Sequence, residues 1–100
     1  MAHIVWSTPA FLRLETLPER TAFGMIKLIN MLARFPKMGT AIRHKSHLYE
    51  LYRNLVFRKN YRIIYRFDEV TDDIHVVMIQ NCKQRLPSPR ELNRIRPNGD

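Results

Sequence analysis

The sequence predicts an α+β fold in which two N-terminal helices pack on a four-stranded, mainly antiparallel sheet and a short helix closes the C-terminus. Three observations lead there. Apolar residues recur at helical spacing between Pro18 and Phe35, the period changes to two between Leu48 and Phe67, and a nearly continuous apolar run from Ile74 to Gln80 follows an acidic turn. One hundred residues with 45% hydrophobic content make one domain and supply one core without a metal or disulfide staple. The domain is expected over 1–100, with its core over about 3–92 and a frayed tail at 96–100.

His3 to Ser7 is short, β-branched and aromatic, which suits an opening strand. Thr8-Pro9 then reads as an N-cap followed by proline at the first helical position, starting a helix through about Leu17 that presents Phe11, Leu14 and Leu17. Pro18 ends it and opens the next helix, whose stripe comprises Ala22, Met25, Ile26, Ile29, Leu32 and Ala33. Gly24 inside that helix costs some stability. Pro36-Lys37-Met38-Gly39 is a turn leading into a polar connection through Ser46. Two strands, Leu48 to Phe57 and Tyr61 to Phe67, join at Arg58-Lys59-Asn60. Tyr61, Ile63, Tyr65 and Phe67 share a buried face, and Arg62, Ile64 and Arg66 share a charged one. Asp68 to Asp73 is an acidic turn before the last strand. In the tail, Ser88 can cap a short basic helix with Pro89 at its first position and Glu91 at capping-box spacing.

The formal charge is +8, and it is segregated. Residues 37–67 carry eight basic groups against Glu50 alone, residues 68–81 are acidic, and the tail is basic again. A basic face of this kind serves an anionic macromolecule, either a nucleic acid or an acidic protein, and charge alone does not separate the two. With Cys82 the single cysteine, no intrachain disulfide can form. No basic leader with a long apolar run and no stretch of about 20 apolar residues is present, so a cytoplasmic location is expected.

Metal and nucleophile chemistry find no support. His3 and His75 stand singly, while His44 and His47 lie three apart in a loop; a zinc site needs three or four converging ligands. No phosphate-cradling glycine loop and no nucleophile elbow occur. No cofactor is expected. The arginines are the stronger lead, because a guanidinium is permanently charged and offers planar, bidentate donors to phosphate oxygens. Arg62, between two aromatics in YRIIY, stands on the face opposite the core, where it could bind phosphate, pair with Glu50 or be solvated. Arg53, Arg58, Lys59 and Arg66 on the hairpin, with Lys83, Arg85 and Arg90 in the tail, extend the candidate surface for a nucleic acid or an acidic protein. Tyr49, Tyr52, Tyr61 and Tyr65 could stack on bases, although aromatics at strand spacing more often belong to a core.

Taken in order, HIVWS, the two helices, the Pro-Lys-Met-Gly turn, the hairpin YRNLVFRKNYRIIYRF and the run NCKQRLPSPREL resemble the RelE/ParE superfamily of bacterial toxins over about residues 3 to 92. The resemblance implies the toxin of a type II toxin–antitoxin pair, held inactive by a cognate antitoxin whose acidic segment covers the basic surface. RelE-like members cut mRNA on the ribosome. For that branch the resemblance implies Arg62, Arg53 and Arg85 as catalytic residues, but Leu55 stands at a second strand position and no His or Tyr follows His75 to serve as base. ParE-like members inhibit DNA gyrase and need no hydrolytic constellation. The turn, the compact hairpin and the missing base agree with that branch, so DNA gyrase is the expected target. Ribosome-dependent mRNA cleavage is the alternative, and an inactive basic binding module the second.

Overall fold

A buried serine organises the start of the chain. The computed structural model describes residues 1–42 and 49–95. In it β1 (His3–Trp6) runs into α1 (Thr8–Glu15), and Ser7 rather than Thr8 is the N-cap. Ser7 Oγ accepts from the Ala10 amide at 3.1 Å and donates to the Val77 carbonyl at 2.7 Å, so one hydroxyl caps the helix and fastens it to the last strand. Thr8 was the expected cap because the sequence cannot show which hydroxyl is already held by the sheet. The helix stops at Glu15, short of Leu17. It buries Ala10 and Leu14, whereas Phe11, expected in the core, is half exposed and Leu17 is partly buried.

The second helix, α2 (Glu19–Met31), is shorter than the expected span to Phe35; residues 32–34 form turns before Pro36. Met25, Ile29 and Leu32 are fully buried, while Ile26 faces outward. Gly24 has a packing reason to be there. A Cβ at that position would stand 2.9 Å from the Phe57 ring and 3.2 Å from the Arg58 guanidinium, so the absence of a side chain lets α2 lie close on the hairpin.

The sheet has five strands where four were expected. Its order is β1-β5-β4-β3-β2, with β2 (Thr40–Ala41), β3 (Arg53–Phe57), β4 (Tyr61–Asp68) and β5 (Asp73–Asn81). The extra strand β2 has two residues, too few to give a periodic signal. All neighbours are antiparallel except β1 and β5, which pair in parallel from His3–Asp73 to Trp6–Val76. The predicted strand start at Leu48 and the expected polar connection at 43–46, with His44 and His47, lie outside the described residues. Tyr49–Leu51 form a turn, and β3 begins only at Arg53. The expected frayed tail at 96–100 is likewise outside them.

The register between β4 and β5 skips Val77, with Ile64 opposite Met78 and Tyr65 opposite Val76. The sheet divides two cores, and this bulge breaks the alternation along β5 so that Val77 and Met78 turn to the same side. Val76 and Ile79 face α1 and α2 with Leu55, Ile63, Tyr65 and Ile74. Val77 faces the other side and joins Ile64, Tyr49, Tyr52 and Leu92. The second face of β4 is therefore only partly charged, because Ile64 is fully buried between Arg62 and Arg66. Its cover includes α3 (Pro89–Arg94), capped by Ser88 Oγ accepting from the Glu91 amide at 3.1 Å, as expected. Tyr49, Tyr52 and Tyr65 belong to these cores and are no stacking platforms. No helix among the described residues is long and apolar enough to cross a membrane.

One contact fixes the turn after α2 to the sheet. Tyr65 Oη donates to the Pro36 carbonyl at 2.7 Å and accepts from the Gly39 amide at 3.0 Å. Gly39 is buried, and a Cβ there would lie 2.8 Å from both the Asn54 carbonyl oxygen and the Tyr65 ring. Gly39→Ala should lower the unfolding free energy by about 1–3 kcal/mol, since backbone on one side cannot give way. Tyr65→Phe should cost about 1–3 kcal/mol by stranding two buried partners. Urea denaturation of each variant measures both losses.

Candidate phosphate-binding face

β-Strand alternation decides which cations share a surface. Arg62 is opposite Val56 on β3 and Gln80 on β5, and Asn54 lies diagonally from it, so these residues occupy the face away from α1 and α2. Arg53 pairs with Tyr65 and starts β3 on the other face, with Leu55 and Phe57. The side chains that flank Arg62 from β3 are thus the uncharged Asn54 and Val56, rather than Arg53 and Leu55.

Arg62 is half-buried and oriented by β5. Its Nη1 donates to Gln80 Oε1 at 2.8 Å and its Nη2 to the Cys82 carbonyl at 3.4 Å. Gln80 is itself fixed, donating through Nε2 to the Arg85 carbonyl at 3.2 Å. Both of Arg62's acceptors are neutral. The full positive charge therefore stays available to an anion, which a carboxylate partner would have cancelled. Glu50, one of the partners considered for Arg62 from sequence, is not among its bonded groups; it sits in the turn before β3.

Arg62 borders a groove of about 690 Å³ whose other lining residues are Gly39, Thr40, Ala41, Ile42, Arg53, Asn54 and Leu86. Arg53 reaches this rim already committed. Its Nε and Nη2 donate to the Gly39 carbonyl at 3.0 and 2.7 Å, and Nη2 also donates to the Lys37 carbonyl at 3.1 Å. It acts as a clasp on the Pro-Lys-Met-Gly turn. Arg85 and Lys83 are exposed in the loop after β5, and Arg90 is exposed on α3. Asn54 Oδ1, buried beside the groove, receives no hydrogen bond. Among the described lining residues none is a carboxylate, imidazole or phenol; they offer two guanidinium groups and an amide.

The hairpin turn carries two more cations in an uncommon backbone state. Arg58 and Lys59 both have positive φ, 50° and 62°, and the Asn60 amide bonds the Phe57 carbonyl at 3.2 Å. This is a two-residue reverse turn of the kind that favours Gly or Asn, and each ordinary residue in it costs about 1 kcal/mol. The sequence marks Arg58-Lys59-Asn60 as a turn without showing its handedness. Arg58 lies over the Phe57 ring at 4.8 Å, and both cations are exposed. Lys59→Gly should keep or raise the melting temperature, by an amount corresponding to about 1 kcal/mol or less.

At the far end of β4, Arg66 is used structurally. Its Nη2 faces His75 Nδ1 at 3.3 Å, and it also interacts with Tyr52, whose hydroxyl donates to Asn93 Oδ1 on α3. Burial raises the Tyr52 pKa, against the opposing pull of Arg66. Burial first, then the Arg66 charge, holds the His75 pKa below its ordinary 6.5. The unfolded chain therefore binds a proton at His75 more readily than the folded one, and folding stability falls as pH drops through about 6.5 and below. A thermal melting series from pH 7.5 to 5 should show this loss, and His75→Gln should flatten it. Asp68, whose pKa is lowered by the Thr71 and Val70 amides, titrates in a separate window below 3.8 and does not interfere. Among the described residues no three His, Cys, Asp or Glu side chains form a metal-sized group.

No family model matches the chain, and no curated protein matches it in sequence. Solved structures do match in fold. A chain of the RelBE2 toxin–antitoxin complex from Mycobacterium tuberculosis is 21% identical with a TM-score of 0.68, covering 80% of this chain and 96% of that one. The isolated E. coli RelE toxin is 10% identical with a TM-score of 0.69, covering 85% of this chain and 88% of that one. A chain of the intact E. coli RelBE complex gives 10% and 0.69, over 84% of this chain and 100% of that one. With its helical pair on one face of the sheet, its basic hairpin, and a capped C-terminal helix on the other face, the chain has the fold of the RelE toxins.

Proposed function

We propose that the chain is the toxin of a type II toxin–antitoxin pair and that it acts on translated mRNA. The observation that carries this reading is Arg62, held by two neutral acceptors at the rim of a groove on the open face of a RelE-type sheet. The named structural neighbours support the RelE-like branch, and nothing in them supports the gyrase target expected from sequence. Two of them are toxin–antitoxin complexes, which supports an antitoxin as resident partner.

In this reading an mRNA phosphate lies against the Arg62 guanidinium, which stabilises the charge that develops as the adjacent 2′-oxygen, giving up its proton, bonds to phosphorus and the P–O bond to the departing 5′-oxygen breaks, that oxygen taking up a proton. The exposed Arg58, Lys59, Lys83 and Arg85 supply a surrounding positive field that draws in the RNA backbone. Among the described residues that line the groove none is a carboxylate, imidazole or phenol, and Arg62 is assigned the stabilisation of charge alone. Arg53 is assigned the turn clasp and not the chemistry.

The test is a reconstituted translation reaction with the purified toxin and primer-extension mapping of the mRNA. Cuts within the translated frame are expected. Arg62→Ala should reduce them about 10²–10³-fold, far beyond the loss of about 1–3 kcal/mol of stability from the stranded Gln80 oxygen, which leaves the chain folded, and Arg62→Lys should restore part of the rate. Arg53→Ala should instead lower the melting temperature. Intact mRNA together with inhibited gyrase supercoiling would overturn the reading in favour of the ParE-like one.

A further inference from the structure

The helical layer carries large apolar side chains that the fold does not use. Phe23, Met31 and Phe35 are 63%, 47% and 57% exposed. Phe23 and Met31 lie two turns apart on α2, and the Phe35 amide bonds the Met31 carbonyl at 3.0 Å, which places Phe35 one further turn along. The three line up as a stripe on the outside of the helix, with Lys27 laid over the Phe23 ring at 6.0 Å. At its C-terminal end the stripe opens into a groove of about 480 Å³ formed by Phe35, Pro36, Lys37, Met38 and Phe67. A soluble domain rarely leaves a run of this size open without a partner for it.

The charges around the stripe name the partner's chemistry. Arg20, Lys27, Arg34 and Lys37 border it and are exposed, against Glu19 and Glu69. Glu69 is already paired with Lys37 at 3.1 Å. A second copy of this chain would bring the same positive border against itself and be repelled. An acidic amphipathic helix would seat apolar residues at i, i+4 and i+7 spacing along the stripe and set its carboxylates against Lys27 and Arg34.

We infer that the outer face of α2, from Phe23 to the Phe35–Phe67 groove, is the docking site for an acidic amphipathic helix of a protein partner. The inference rests on the toxin–antitoxin reading for the identity of that partner. It places the partner's apolar anchor on the side of the sheet away from Arg62, and not on the basic hairpin where the charge distribution alone had put it. The basic face then receives at most a trailing acidic segment.

The experiment uses the full chain co-expressed with the product of the reading frame adjacent to its gene. Affinity is measured by titration calorimetry on the refolded pair. Phe23→Ser with Phe35→Ser should weaken binding at least 100-fold while the melting temperature holds, because both side chains are exposed. Lys27→Glu with Arg34→Glu should slow association about tenfold, and Arg62→Ala should leave affinity unchanged. In cells the double serine variant should still arrest growth and should no longer be relieved by the partner. Unchanged affinity in the double serine variant overturns the inference, as does loss of binding on Arg62→Ala. Concentration-dependent dimerisation of the wild-type chain that disappears in the double serine variant would overturn it too, by assigning the stripe to a second copy. A wild-type chain that fails to arrest growth would count against the proposed function alone, since the affinities are read independently of toxicity.

Discussion

The Tyr65 hydroxyl is the joint on which the rest of the molecule depends. It sits on the middle strand of the sheet, fully buried, and holds the turn after α2 by donating to the Pro36 carbonyl and accepting from the Gly39 amide. Arg53 grips the same turn through the Gly39 and Lys37 carbonyls. Without these bonds the backbone polar groups of a tight, partly buried turn would have no partners, at a cost of about 1–3 kcal/mol each. With them, β2 is laid down beside β3 and one wall of the Arg62 groove comes into existence. The site is therefore built from the opposite face of the sheet.

Much of this architecture is legible in the sequence because prolines and periodicity punctuate it. Pro9, Pro18, Pro36 and Pro89 mark the helix limits to within a few residues, and the change from helical to alternating spacing finds the hairpin. What escapes has physical reasons. A two-residue strand has no period. Tyr49, Leu51 and Tyr52 look like strand residues by composition, but Tyr49 and Tyr52 are recruited to the second core from a turn. An apolar run such as IHVVMIQ cannot reveal the bulge at Val77 that interrupts the alternation and sends Val77 and Met78 to the same core.

The site was legible in part for the same reason. Arg62 stands out because it interrupts an aromatic strand, and its face follows from alternation. Arg53 joins it in the sequence reading through the family resemblance and through its charge, which by itself suggests a surface role. Its guanidinium instead satisfies carbonyls, a role that leaves no trace in composition. The anchor of Arg62 could not be foreseen either, since Gln80 lies on a strand whose register only the fold determines, and the Cys82 carbonyl lies just after it. Phe23 and Phe35 drew no attention, although aromatics off the buried stripe of an amphipathic helix are a readable signal.

The parallel pairing of β1 with β5 has a consequence in time. Ser7 and Val77, joined by a hydroxyl–carbonyl bond, are 70 residues apart in the chain. At roughly 5–20 residues per second of synthesis, the first strand waits several seconds for its neighbour to be made. Arg62 waits with it, because Gln80 and Cys82 belong to that same last strand and the loop beyond it. The Arg62 guanidinium thus has no anchor until the last strand of the sheet and the start of the loop beyond it have been made.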